Sequence, residues 1–133
     1  MAIILDTDVI IAGERGSLDL EGWLVSHPGE QFEVAAITVA ELWYGVERAT
    51  ATHRAKRRLY IENALAKLQI VPYTGQTARE HARLWARLES VGRMIGDYDL
   101  IVAATALERG SAVATFNVRH FSVVKGLKII EPK

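Results

Sequence analysis

Short apolar runs alternate along this chain with longer segments of helical period, and that alternation restricts the fold more than any single residue does. Residues 2–5 (AIIL), 33–37 (EVAAI), 69–72 (QIVP), 112–115 (AVAT) and 127–130 (LKII) read as strands. Between them, Val39, Leu42, Trp43 and Val46 recur at helical spacing within 38–50, and Ala78, Ala82, Trp85 and Leu88 do so within 76–91. Trp43 and Trp85 therefore fall on core stripes. Residues 54–68 form a further expected helix and 19–26 a short one. The segment 99–109 (DLIVAATALER) is apolar nearly all round, as a helix pressed onto a sheet would be, with Gly110 to stop it. Strands separated by helices argue for parallel pairing, because a parallel crossover needs about a dozen residues and these connections supply them. The expected fold class is α/β: one domain over 1–133, a central parallel sheet of four or five strands flanked by helices.

The first strand ends in an unusual way. In IILDTDVI, residues 3–10, aliphatic residues run directly into Asp6, with Asp8 close behind. Aspartate is a poor strand former and costly to bury unpaired, so something is expected to share its charge: a divalent metal, a phosphoryl group or a helix N-terminus. In open parallel sheets the active crevice lies at the carboxyl ends of the strands. Asp6 ends the first strand, Glu41 follows the second by one helical turn, Asp99 opens the apolar helix, and Asn117 comes just after the fourth strand. If these strands are neighbours, the four side chains converge.

Each residue also has an ordinary role open to it. Asp6 suits a helix cap, and Thr38-Val39-Ala40-Glu41 has the form of a capping box. Asp97 and Asp99 suit the positive end of a helix dipole, and Asn117 a turn. None of these roles requires all four elements to present such a residue at the same end of the sheet. Gly45, one turn beyond Glu41, suggests space kept open beside that carboxylate, or close packing of a neighbouring helix.

Composition narrows the chemistry. There is no cysteine, which removes disulfides, thiolate metal sites and thiol nucleophiles. His27, His53, His81 and His120 are scattered without ligand spacing and are expected at the surface or the core edge. Lys plus Arg equals Asp plus Glu at 16 each, so nucleic-acid binding would need a local patch or metal ions. Arg79, Arg83 and Arg87 make such a stripe, and His53-Arg54-Ala55-Lys56-Arg57-Arg58 is the densest basic segment. Pairing with nearby acids on a solvated helix face is the alternative. No run reaches the roughly 20 apolar residues of a membrane span, and the N-terminus lacks the basic region of a signal peptide, so a cytoplasmic protein is expected. With half of its residues hydrophobic, the chain has apolar surface for a partner or a homodimer.

Three stretches, LDTDVII, ITVAELWYGVERA and IGDYDLIVAATALERGSAVATFNVRHF, resemble the PIN domain, in particular the VapC-type toxins of toxin–antitoxin pairs. The resemblance covers nearly the full chain, in order and spacing. It implies a metal-dependent ribonuclease whose acidic positions are Asp6, Glu41 and Asp99, with Asn117 at the fourth. Asp6 and Asp99 would be the principal ligands of Mg²⁺ or Mn²⁺, Glu41 would bind through water or orient the attacking water, and Thr7 would line the site. Carboxylates without Cys or clustered His agree with a hard cation. For the substrate, Arg79 and Arg83 are candidate RNA contacts, and a VapB-like antitoxin is the implied partner. Two positions depart from the family pattern. Asp8 stands where Asn or Ser is common, and Asn117 replaces a fourth acid, which weakens any second metal site. Two rivals remain: a haloacid-dehalogenase-like phosphatase with Asp6 as nucleophile and Asp8 as general acid, and a catalytically weak PIN domain acting as a protein-binding module.

Overall fold

Ile3, Ile4 and Leu5 belong to the central strand of a parallel sheet with strand order β3-β2-β1-β4-β5. The computed structural model describes residues 1–133. In chain order the elements are β1 (Ala2–Leu5), α1 (Thr7–Arg15), α2 (Leu20–Val25), β2 (Gln31–Ala35), α3 (Ala36–Arg48), α4 (Ala51–Leu65), β3 (Gln69–Val71), α5 (Gly75–Ser90), α6 (Asp97–Arg109), β4 (Ala112–Ala114), α7 (Val118–Phe121) and β5 (Ile129–Ile130). No helix is long and apolar enough to cross a membrane.

Alternation along β1 divides the core. Ile4 packs with Leu84, Leu88, Leu100, Val113 and Phe121 on one face, while Ile3 and Leu5 pack with Ile10, Trp23, Leu42, Val46 and Ile61 on the other. Both faces are covered, which is why the strands read as continuous apolar runs. The helix over 97–109 is the all-round apolar segment of the sequence, and Val102, Ala103, Ala104 and Ala106 are almost wholly buried in it. It ends at Gly110, whose φ of 67° is the left-handed geometry that favours glycine.

Strand order decides where a site can form. From β1 the chain winds outward through β2 to β3, then returns to place β4 on the other side of β1. The order therefore reverses between β1 and β4, and a crevice opens at their carboxyl ends. Leu5 pairs with Ala114 in register, so Asp6 and Thr115 are the first residues past the sheet on either side of that crevice.

Several expectations are corrected. The second strand stops at Ala35, and Ala36 and Ile37 already belong to α3. The Thr38–Glu41 capping box does not form: the cap residue is Ala35, with no side-chain cap bond, because the helix starts two residues earlier, at Ala36. Trp85 is 50% exposed and stacks on His81, with ring centroids 5.8 Å apart, whereas Trp23 is the buried indole. Trp43 is partly buried against the Ile3 face. Beside Gly45 a Cβ would meet nothing within 4 Å, so that glycine keeps no room for the Glu41 carboxylate and admits no close helix. The short α7 was not foreseen.

Away from the crevice, Glu33 lies wholly buried in β2. It accepts Arg109 Nε at 3.0 Å and Ser111 Oγ at 3.3 Å, so the end of α6 is tied to the sheet through a buried carboxylate.

Candidate active site

Asp6 is 6% exposed at the head of the crevice. Its Oδ1 accepts the Thr7 amide at 2.8 Å, which caps α1, and its Oδ2 accepts the Thr115 hydroxyl at 2.8 Å from past the end of β4. The cap and the site are thus two uses of one carboxylate. Asp8, in the first turn of α1, turns the same way. Its Oδ2 accepts the Phe116 amide at 3.1 Å and lies 3.4 Å from Thr115 Oγ1, while its Oδ1 is buried without any partner.

Glu41 reaches the crevice from α3, where its Oε1 accepts the Thr7 hydroxyl at 2.9 Å. Asp99 comes from the first turn of α6. Asn117, at the start of α7, directs its amide nitrogen toward Asp99 Oδ2 at 3.4 Å and donates to His120 Nδ1 at 2.8 Å. His120 Nδ1 is itself 3.6 Å from Asp99 Oδ2. The structure therefore brings Asp6, Thr7, Glu41, Asp99 and Asn117 to one place, and adds Asp8, Thr115 and His120 to them.

The electrostatics of this group are one-sided. Burial, then the charge of Asp8, then that of Asp99 push the Asp6 carboxyl up to about 7, with the Thr115 and Thr7 bonds holding it back. Asp8 is raised chiefly by burial, and Glu41 by burial and the charge of Asp99. No lysine or arginine forms an ion pair with any of these carboxylates; the only basic group within ion-pair distance is His120. The residues meet water and each other as a concentration of negative charge.

Such a group suits a hard divalent cation by its donors: carboxylate and amide oxygens, with the orphaned Asp8 Oδ1 among them. As they stand, the side chains are held by protein hydrogen bonds, and no three acidic or imidazole groups close on a single point.

Arg79 and Arg83 lie elsewhere. They share a cleft with Leu107 and Glu108 at the far end of α6, about 12 Å along the helix axis from Asp99. Thr77 Oγ1 donates to Glu108 at 2.7 Å and pins the start of α5 there, and Arg83 pairs with Glu80 at 3.2 Å. In the other basic segment, Arg57 pairs with Glu14 at 3.1 Å.

Fold and site together define an acid-centred α/β domain whose carboxylates gather where the strand order reverses. The chain belongs to the PIN-domain family, whose sequence profile matches residues 3–127. Within that family it is similar to ribonuclease VapC1 of Rickettsia felis, 33% identical over 131 residues, covering 98% of this chain and 96% of that relative. Among solved structures it is similar to VapBC-5, a member of the VapBC family of toxin–antitoxin systems from Mycobacterium tuberculosis. There the identity is 34%, the TM-score 0.78, and 98% of each chain is covered. The fold alone is also shared with VapBC2 of Rickettsia felis, at TM-score 0.89 and 21% identity over 98% of each chain. This membership sets aside the phosphatase alternative.

Thr115 and His120 were not assigned to the site from sequence, and Asp8 entered it only as the general acid of the phosphatase alternative. Asp8 had a visible signal, a second carboxylate directly after the strand. Thr115 was readable only as the residue aligned with Asp6 across β1 and β4, which requires the register. His120 gave none, because its neighbour Asp99 lies on a different helix.

Proposed function

We propose that this protein is a divalent-metal-dependent endoribonuclease and the toxin of a toxin–antitoxin pair. The observation that carries the reading is the group of Asp6, Asp8, Glu41 and Asp99, crowded at the switch point with no arginine or lysine to balance them. A protein keeps uncompensated, partly buried charge of this kind where a cation supplies the balance. Asp6 and Asp99 would hold Mg²⁺ or Mn²⁺, with Glu41 as a further ligand directly or through water. A bound ion of this class acidifies water and offsets charge on a phosphodiester.

The chain's own contribution is positional. Thr115 and the Thr7 amide fix both oxygens of Asp6, the Thr7 hydroxyl fixes Glu41, and the Phe116 amide fixes Asp8. Asn117 places a neutral amide beside Asp99, where a fourth carboxylate would add repulsion. With no cysteine in the chain and no serine or lysine among these groups, water is the nucleophile the site is built to orient. The antitoxin partner is supported by the 34% identical neighbour being a member of a toxin–antitoxin family, and a homodimer by the apolar surface.

The test is cleavage of single-stranded RNA by the purified protein with Mn²⁺, with Mg²⁺ and with EDTA, alongside Asp99→Asn. Cleavage that needs metal and Asp99 is expected. Cleavage undiminished in EDTA, or equal in the variant, overturns the metal site, and no cleavage at all favours a PIN-domain binding module. Co-expression with the small protein encoded beside it should relieve growth arrest; absence of toxicity counts against the toxin role.

A further inference from the structure

Beside the carboxylates, α3 carries a stripe of different chemistry. A cleft of about 490 Å³ is lined by Thr7, Ile37, Ala40, Glu41, Tyr44 and Tyr98. It opens directly from the Thr7–Glu41 pair, which is hydrogen-bonded at 2.9 Å. Its size falls within the range of small-ligand sites, roughly 300–1,000 Å³. The two tyrosines on its walls are 61% and 53% exposed, although nothing in the core requires an aromatic ring at either position.

The stripe continues past the cleft. Arg48 lies one turn beyond Tyr44 with its guanidinium over the Tyr44 ring, 5.4 Å from the centroid, and it makes no ion pair. Along one line of α3 the order is carboxylate, aromatic ring, free cation: Glu41, Tyr44, Arg48. Arg48 is about 10 Å along the axis from Glu41. Bases stack on exposed aromatic rings in single-stranded nucleic acids, and arginines meet the backbone beside them.

We infer that this cleft binds a nucleobase of single-stranded RNA next to the cleaved phosphodiester, stacked at Tyr44 and Tyr98, with Arg48 contacting the following phosphate. The inference rests on the ribonuclease reading and adds to it a path for the strand. The Tyr44–Tyr98 cleft and Arg48 are also where this chain has aromatic and basic groups contiguous with the acids, which Arg79 and Arg83 are not. The occupant is RNA rather than a second copy or a partner helix because the cleft is continuous with the acid site and the Tyr44 ring on its wall carries an unpaired cation, Arg48, beyond it.

The experiment measures binding of a fluorescein-labelled 12-nucleotide single-stranded RNA to the full chain in EDTA, and its cleavage with Mn²⁺. Tyr44→Ala and Tyr98→Ala should each weaken binding roughly 5- to 100-fold, and raise KM with a smaller change in kcat. Tyr44→Phe, which keeps the ring, should restore both. Arg48→Ala should lower the slope of log affinity against log salt by about one unit. Binding unchanged in all three alanine variants, while the parent still cleaves, overturns the inference and leaves the ribonuclease reading standing. A parent that neither binds nor cleaves RNA removes that reading instead, and this inference with it. If Tyr44→Ala turns a dimer into a monomer by light scattering, and the monomer binds RNA as the parent does, the cleft belongs to a second copy and the inference is wrong.

Discussion

Thr7 donates its hydroxyl to Glu41 at 2.9 Å, joining the first turn of α1 to α3 across 34 residues of sequence. That bond, not a capping box, fixes Glu41, and it holds down a carboxyl that burial and Asp99 raise. Thr7→Val keeps the shape and removes the donor. RNA cleavage should fall about 10- to 100-fold, as for other residues that orient ligand side chains. The Glu41 carboxyl should rise further, so the acid limb of the pH–rate profile should move to higher pH. An unchanged rate and an unchanged limb would show that Thr7 does not orient Glu41.

The Asp6 carboxyl predicts how stability depends on pH. Burial and its acidic neighbours raise it from 3.8 to about 7 in the folded chain. Between those values the folded state keeps a proton that the unfolded chain has lost, so stability falls as pH rises from about 4 through 7. By pH 8 the cost is on the order of 4 kcal/mol. Asp6→Asn removes it. In EDTA the variant should melt close to the parent at pH 4 and well above it at pH 8, while losing metal-dependent cleavage. The readout is the difference in Tm against pH, and a difference independent of pH refutes the account.

Glu33 and Arg109 predict a loss of stability without loss of chemistry. Arg109→Met leaves the wholly buried Glu33 with only the neutral donors Ser111 Oγ at 3.3 Å and Gln31 Nε2 at 3.5 Å and should cost about 3 kcal/mol. Adding Glu33→Gln removes the stranded charge and should recover part of that. Urea denaturation measures both, and the folded single variant should still cleave RNA, since Arg109 closes the end of α6 opposite Asp99. A single variant as stable as the parent would show that the pair contributes little.

Much of this was legible because burial on both faces writes strands as short apolar runs, and because Asp6, Glu41, Asp99 and Asn117 each follow a strand or open a helix. Boundaries were less so. Ala35 caps α3 with no side-chain bond, so the sequence carried no start signal and the helix was placed two residues late. Glu41 looked local because Thr38 stands at capping distance, while its partner Thr7 is known only once α1 and α3 are packed. Trp85 fell on a helical stripe that the core does not use, since Thr77, Leu84 and Leu88 bury instead. The arginine stripe of α5 was visible in sequence; that α5 begins against the far end of α6 was not.

Asn117 sets the charge of the site. Its amide nitrogen points toward Asp99 Oδ2 at 3.4 Å and donates to His120 at 2.8 Å, so it offers Asp99 a neutral neighbour where a carboxylate would repel. If Asp6, Glu41 and Asp99 are the ligands, as proposed, and Asp8 stays turned to the Phe116 amide at 3.1 Å, one divalent ion is balanced. A second, about 3.5–4 Å from the first in two-metal sites, would meet too little negative charge to offset their repulsion. The second ion should therefore enter mainly with the RNA phosphate. Asn117→Asp supplies the missing charge: it should tighten Mn²⁺ binding without RNA and lower the metal concentration needed for half-maximal cleavage. It should also lower Tm in EDTA, because a carboxylate then faces Asp99 with no cation between them. Calorimetric titration of Mn²⁺ into both proteins, with melting curves in EDTA, checks each part. Two equally tight sites in the parent, or no gain from the substitution, would show that Asn117 does not limit the metal content of the site.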